Sequence, residues 1–221
     1  MPKAINSPAG VLLCSGGMDS TTLAYYLHAN GVQFNTLFFD YGQHCTETEY
    51  RILKEVVPES IFGPLTVIRL SDIYGFSSSK IIVEPDLWVE RVEADDLYLP
   101  YRNLLLLSAG AAFAQSIGAT SMYSAFINSN HAKEIDCSAE FFGRLRDLLS
   151  SYGSVSLEMP FRNLSKYEVA KIGLELHAPI ASTFSCQAAS KVPCGACPNC
   201  VDRLEAFLRI ANECSNEETE S

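Results

Sequence analysis

Two stretches of this 221-residue chain hold residue types whose spacing could do chemistry. The first is Ser15-Gly16-Gly17-Met18-Asp19-Ser20-Thr21-Thr22. Its glycines let the backbone turn sharply and approach a ligand, its hydroxyls donate hydrogen bonds, and Asp19 offers a carboxylate. Val11 to Cys14 before it read as a buried strand. Leu23 and Leu27, with Tyr26, read as the inner stripe of a following helix. A strand that feeds a helix through such a turn aims free N–H groups and the positive helix end at one point, which makes an anion site whose usual occupant is phosphate. The second stretch is Cys186, Cys194, Cys197 and Cys200, spaced C-x7-C-x2-C-x2-C with Gly195 and Pro198 between them. Four thiolates in turns this tight fit a closed, structural, tetrahedral zinc. Iron–sulfur ligation uses similar spacings but would need an electron-transfer partner that the sequence does not offer. A disulfide pairing is the weaker alternative in a reducing compartment.

The glycine turn is neither G-x-x-x-x-G-K-[ST] nor G-x-G-x-x-G, so the P-loop NTPase and dinucleotide fingerprints both fail. Its Ser-Gly-Gly-Met-Asp-Ser resembles the pyrophosphate loop of the ATP-pyrophosphatase (PP-loop) family, S-G-G-x-D-S after a first strand. The resemblance implies enzymes that split ATP between the α and β phosphates and adenylate a carbonyl or carboxylate oxygen. A plain Gly-Gly turn in any α/β protein is the alternative.

The elements that must position these residues alternate. Phe34 to Phe39 is a second buried strand ending at Asp40-Tyr41-Gly42-Gln43-His44. Thr46 to Val56 is a helix with Thr46 as N-cap and Glu49 three residues on, and Leu65 to Leu70 is a third strand. This β-α-β-α-β succession predicts an α/β fold with a doubly wound parallel sheet, whose ligands gather at the carboxyl ends of the strands. Ser71 to Leu99 breaks the rhythm with Gly75, three serines, Pro85 and an acid cluster, and reads as a mobile flap near the site or as plain surface disorder. Pro100-Tyr101-Arg102-Asn103 opens a helix to about Ile117, apolar nearly all round and so expected to be buried. Arg102 at its start is either a surface cap or a binding group for an anion. Thr120 to Ala125 is a fourth strand, followed by a strand-end loop carrying Asn128, Asn130, His131, Glu134 and Asp136. Phe141, Phe142, Leu145 and Leu148 are expected in the core. Val155 to Phe161 is extended, and Ser165 with Glu168 forms a capping box for a helix to about His177. Lys166 at that helix's positive end is placed to meet a phosphate. The expected organisation is a nucleotide-binding domain over residues 1–184, a zinc-binding segment and helix over 185–212, and an acidic, disordered tail over 213–221.

The net charge of −10 is uneven. Glu84 to Asp96 contributes −5, and the tail from Glu213 contributes −4. No general basic surface remains for a phosphate backbone, which disfavours a bulk nucleic-acid binder. The opening Met1 to Asn6 lacks the pattern of a secretion leader, and the apolar run Leu104 to Ala114 is too short to span a bilayer. The expected location is the cytoplasm, with no membrane partner.

The two stretches together, with Phe39-Asp40-Tyr41-Gly42-Gln43, Pro100 with Arg102-Asn103, Asp136-Cys137 with Glu140-Phe141, Pro160 with Ser165-Lys166 and Glu168, and Ser185-Cys186 through Arg203, resemble the QueC (7-cyano-7-deazaguanine synthase) family from Val11 to about Leu208. That resemblance implies a ligase taking 7-carboxy-7-deazaguanine, ATP and ammonia, with Mg²⁺ and a structural Zn²⁺. It implies that Ser15, Gly16, Gly17, Met18, Asp19, Ser20, Thr21 and Thr22 bind ATP, with Asp19 also holding Mg²⁺. It implies that Tyr41, Gln43, Arg102, Asn103, Asp136 and Cys137 meet the second substrate. Asp19, Arg102 and Lys166 are the expected catalytic groups, the last two stabilising charge on pyrophosphate or carboxylate, and a homodimer is the expected assembly. Three departures stand out: His44 where the family has arginine, Tyr101 where it has glycine, and a rewritten loop from Asn130 to Ser138. They raise an alternative in which the activated acyl group passes to a protein amine, as in QueC-like proteins of antiphage systems. A tRNA-modifying PP-loop enzyme and a non-enzymatic nucleotide-binding module are the remaining readings.

Overall fold

The structure, a computed structural model, describes residues 9–127 and 136–219. Its elements run β1 (Gly10–Leu13), α1 (Met18–Ala29), β2 (Phe34–Asp40), α2 (Thr46–Val56), α3 (Glu59–Phe62), β3 (Leu65–Arg69), α4 (Ser71–Tyr74), α5 (Arg102–Ser116), β4 (Ser121–Tyr123), α6 (Ala139–Tyr152), β5 (Ser156–Glu158), α7 (Lys166–Glu175) and α8 (Pro198–Thr219), with short 3-10 turns at Asp95–Leu97 and Ile180–Ser182. The five strands form one sheet in the order β3-β2-β1-β4-β5, and every pairing is parallel. Gly10 pairs with Phe34 on one side and Ser121 on the other, so β1 is central. The chain winds outward in opposite directions from β1, which leaves a crevice between the carboxyl ends of β1 and β4.

Alternation along the strands fills two cores. Leu12, Cys14 and Phe38 face α1 and α2 through Leu23, Leu27 and Leu53. Val11, Leu37, Phe39, Met122 and Leu157 face α5 and α6 through Leu107, Ala114 and Phe142. The sheet is thus buried on both faces, as expected for parallel strands. α7 and α8 add an outer layer over α1. The approach of α7 is close: a Cβ on Gly173 would lie 2.7 Å from Thr22 Oγ1 and from Ile180 Cγ2, so only glycine fits without displacement.

Several expectations change. The capping box at Thr46 does not form: Cys45 is the N-cap of α2, Thr46 Oγ1 donates to Gln43 O at 2.6 Å, and the Glu49 side chain turns inward to Gln43. Only one side of α5 is fully buried, at Asn103, Leu107, Gly110, Ala111 and Ala114, because the helix lies across one face of the sheet. Leu148 is 51% exposed and Phe141 only partly buried, and on α6 Phe142 and Leu145 are the residues buried in the core. Strands β4 and β5 are three residues each, shorter than the extended runs suggested. The Ser71–Leu99 segment is a packed strap. Tyr74, Ile81, Val92, Leu97 and Leu99 are buried in one cluster with Cys45, Cys186, Cys197 and Cys200. Lys80 pairs with Glu90, and Ser190 Oγ donates to Glu84 Oε2 at 2.9 Å. α8 extends through Thr219, past Ala211 and into the stretch expected as a tail. Glu213 ties it down, accepting from the Tyr167 hydroxyl and lying 3.6 Å from Lys171 and from Arg209. The expectations for Asn128, Asn130, His131 and Glu134 fall outside the described residues. No helix among the described residues is long and apolar enough to cross a membrane.

Candidate active site

A cleft of about 320 Å³ opens at the crevice between β1 and β4. Its floor is Leu13, Cys14, Leu37, Phe38 and Phe39 at the ends of β1 and β2. One wall is the glycine turn. Gly16 stands at φ +77° and hands the chain to α1, whose first N–H groups have no helical partners. The turn is braced from the far end of the chain: Phe184 N donates to Gly16 O at 3.1 Å, and Met18 N donates to Ser185 Oγ at 3.4 Å. Ser15 and Ser20 knit the turn locally, Ser20 Oγ accepting from Ser15 N at 3.3 Å. Replacing Gly16 by alanine would put its Cβ 2.9 Å from Leu53 N and 3.0 Å from Glu49 O while forcing a left-handed backbone. The expected result is a loss of about 2 kcal/mol or more in urea unfolding.

The capping box at Ser165 forms as the spacing predicts, Ser165 N donating to Glu168 Oε2 at 2.7 Å and Glu168 N to Ser165 Oγ at 3.3 Å. It starts α7 at Lys166, whose Nζ lies 2.7 Å from Asp19 Oδ2 at the mouth of the glycine turn. The other Asp19 oxygen, Oδ1, is buried without a hydrogen-bond partner among the described residues.

The opposite wall is the start of α5. Arg102 Nε donates to Asn103 Oδ1 at 3.3 Å, and the same guanidinium lies beside Tyr41. Burial pushes the Tyr41 phenol well above its ordinary range, and Arg102 pulls part of the way back. Gln43 is buried with its amide locked, Oε1 accepting from Tyr41 N at 2.9 Å and Nε2 donating to Phe39 O at 3.0 Å and Glu49 Oε2 at 2.9 Å. Burial pushes the Glu49 carboxyl up to about 7, against hydrogen bonds from Gln43 and Cys45 that favour its charge.

Tyr41, Gln43, Arg102 and Asn103 line the cleft, as do Ser15, Gly17, Met18, Asp19, Ser20 and Lys166. Asp136 and Cys137 stand behind Asn103: Asn103 N donates to Asp136 Oδ2 at 3.2 Å, and its side-chain amide reaches Asp136 O at 3.1 Å and Cys137 Sγ at 2.9 Å. Gly16 is the hinge of the wall rather than its surface. Thr21 and Thr22 are fully buried beneath α7, away from the cleft. His44 turns to the cysteine lobe, its Nε2–H donating to Gln187 O at 3.1 Å. Sequence reasoning missed Glu49, Ser124, Ser185, Gln187 and Asn199 as cleft residues. It also missed Arg162, which donates to Ile127 O at 3.2 Å and Cys137 O at 2.7 Å with its guanidinium 5.2 Å from the Phe142 ring. Ser185, Gln187 and Asn199 had a signal, each adjoining one of the four clustered cysteines in sequence.

The sulfurs of Cys186, Cys194, Cys197 and Cys200 all lie within 4.8 Å of one another. Tetrahedral thiolate ligation of zinc needs S···S separations of about 3.8 Å, so the cluster fits with a small contraction. Hydrogen bonds from the Cys186 and Cys200 thiols hold Cys197 well below its ordinary range, a first thiolate already favoured. A hard cation finds one unsatisfied oxygen at Asp19 Oδ1.

The five-stranded parallel sheet with a glycine turn after its central strand has the PP-loop, adenine nucleotide α-hydrolase-like fold. The fold is shared with a 4-thiouridine synthetase solved with RNA and bound ATP (TM-score 0.51, 18% identity, 96% of this chain and 53% of that chain). It is shared as well with the U34-tRNA thiolase NcsA of Methanococcus maripaludis, solved with its [4Fe-4S] cluster (TM-score 0.51, 13% identity, 96% of this chain and 68% of that one). Within that class the chain belongs to the family of the queuosine biosynthesis protein QueC, which it matches over residues 9–211. It is 32% identical over 209 residues to the 7-cyano-7-deazaguanine synthase of Methanospirillum hungatei, covering 90% of this chain and 94% of that one. It is 33% identical over 204 residues to the synthase of Archaeoglobus fulgidus, covering 90% and 85%.

Proposed function

We propose that this protein is an ATP-dependent C–N ligase that adenylates the carboxylate of 7-carboxy-7-deazaguanine and converts it to the nitrile. The observation that carries the reading is the placement of the Asp19–Lys166 pair at the mouth of the glycine turn, facing Arg102 across one cleft. The turn's N–H groups and the Lys166 ammonium hold the β- and γ-phosphates of ATP. Arg102 orients the acid's carboxylate toward the α-phosphorus. A carboxylate oxygen forms the new O–P bond while the bond from the α-phosphorus to the bridging oxygen breaks, and pyrophosphate departs with its charge already compensated. Ammonia then displaces AMP to give the amide. A second ATP adenylates the amide oxygen, which leaves with AMP as the nitrogen loses its remaining protons. Asp19 Oδ1 would hold Mg²⁺, which neutralises phosphate charge when bound. The four cysteines would hold Zn²⁺ as a structural ion that fixes the brace at Phe184 and Ser185.

The test is incubation of the purified protein with ATP, 7-carboxy-7-deazaguanine and ammonium, read by mass spectrometry. Free nitrile with AMP and pyrophosphate is the expected product. Absence of AMP under every condition would leave a nucleotide-binding module. An acyl adduct on an added protein, with no nitrile, would replace ammonia by a protein amine.

A further inference from the structure

Adenylation leaves one carboxylate in the cleft without a task. Glu49 lines the cavity from α2, and among the described residues it forms no salt bridge. Its orientation is nonetheless fixed. Gln43 Nε2 holds Oε2 at 2.9 Å, and Gln43 is itself pinned to the main chain of Phe39 and Tyr41. The titratable groups facing it are the Cys45 thiol from its own loop, the Tyr41 phenol from the end of β2 and the Arg102 guanidinium from α5. Its backbone abuts the glycine turn, since a Cβ on Gly16 would lie 3.0 Å from Glu49 O. Glu49 therefore sits beside the phosphate turn with the carboxylate-orienting arginine within its electrostatic reach.

The reaction needs a base at this place. At neutral pH ammonia is present almost wholly as ammonium, whose nitrogen has no free lone pair. A nucleophile in its protonated form is activated by an adjacent base. We propose that Glu49 is the proton acceptor for the incoming amine. Its carboxylate takes one proton from ammonium, and the freed lone pair forms the C–N bond to the acyl carbon. The C–O bond to AMP breaks with its electron pair leaving on the phosphate, and a further N–H proton passes to water. The raised carboxyl, at about 7, matches a base that must exchange protons near neutrality. The proposal rests on the adenylation reading and adds to it the residue that makes the second substrate reactive.

The experiment compares wild type with Glu49→Gln and Glu49→Asp in two assays. Pyrophosphate exchange into ATP with 7-carboxy-7-deazaguanine and no amine reads adenylation alone. Acyl transfer to nitrogen reads the amine step: amide and nitrile from ammonium, or hydroxamate from hydroxylamine, which is largely unprotonated at neutral pH. Glu49→Gln is expected to keep exchange close to the wild-type rate and to lose ammonium-dependent product by about 10²-fold or more. Hydroxylamine is expected to serve both proteins similarly. The wild-type ammonium rate rises as pH passes about 7, when Glu49 loses its proton. In Glu49→Gln it rises only with the deprotonation of ammonium itself, at higher pH. Glu49→Asp, shorter by one methylene but still a base, recovers part of the ammonium rate. The proposal is overturned if exchange falls in parallel with product, if hydroxylamine suffers as much as ammonium, if ammonium use is unchanged, or if aspartate does no better than glutamine. A wild type with no exchange at all overturns the adenylation reading and takes this role with it. Intact wild-type exchange with any of the other outcomes overturns Glu49 alone.

Discussion

Asp19→Asn is expected to lower carboxylate-dependent ATP–pyrophosphate exchange by about 10²–10³-fold while leaving the fold intact. The neutral amide still accepts from Lys166 through its oxygen, so the 2.7 Å contact that seats α7 on α1 persists. What disappears is the charge on Oδ1, the buried oxygen that no group among the described residues satisfies. A carboxylate oxygen left in that state is costly unless something fills the position during turnover, and a cation on the triphosphate is the group that would. The loss should deepen at low Mg²⁺ and be partly recovered by excess Mg²⁺, with circular dichroism and metal content at the cysteines unchanged. An asparagine variant that exchanges pyrophosphate at the wild-type rate would remove Asp19 from the machinery and leave its pairing with Lys166 as packing.

The second large effect concerns the cysteine cluster. Stripping its metal with a strong chelator, or replacing Cys200 with serine, is expected to cost more than about 5 kcal/mol of apparent stability, a large share of what a domain has. The loss should not stay local. The Ser71–Leu99 strap is buried against Cys186, Cys197 and Cys200 through Ile81, Val92, Leu97 and Leu99. Its release exposes those side chains, and limited proteolysis should then cut between Phe76 and Asp96. Ser185, next to the first cysteine, also supports Met18 N in the glycine turn, so nucleotide affinity falls with the metal. Metal content, melting temperature and cleavage sites measured on the same samples check the three effects. A chelated protein that keeps its melting temperature and its protease resistance would make the cluster dispensable.

The doubly wound sheet, the glycine turn and the cysteine cluster were legible in the sequence because each depends on local chemistry. Strand periodicity, a turn that only glycine permits and short ligand spacing all survive without knowledge of the rest of the chain. The Ser165 box was legible for the same reason, whereas the pairing of Lys166 with Asp19 is a long-range contact. What sequence could not place was contact at long range. Glu49 has the spacing of a cap to Thr46, yet Gln43 competes for it once β2 ends in a tight turn, and tertiary hydrogen bonding wins over the local pattern. The strap looked like an unsupported loop because its apolar residues are scattered, at Ile81, Val92, Leu97 and Leu99, among serines and acids. Their partners lie about a hundred residues on. Asp136 and Cys137 were picked out with Asn103, and the structure brings them together with it, but as its support behind the cleft wall.

The grip of Arg162 has a bearing on how such a protein diversifies. Its guanidinium holds two peptide carbonyls, those of Ile127 and Cys137, and peptide carbonyls are the same whatever residues bear them. The posts of the intervening segment are therefore anchored by a bond indifferent to spelling. Either position can change its side chain and keep that bond, which ties the chain leaving β4 and the chain entering α6 to one guanidinium.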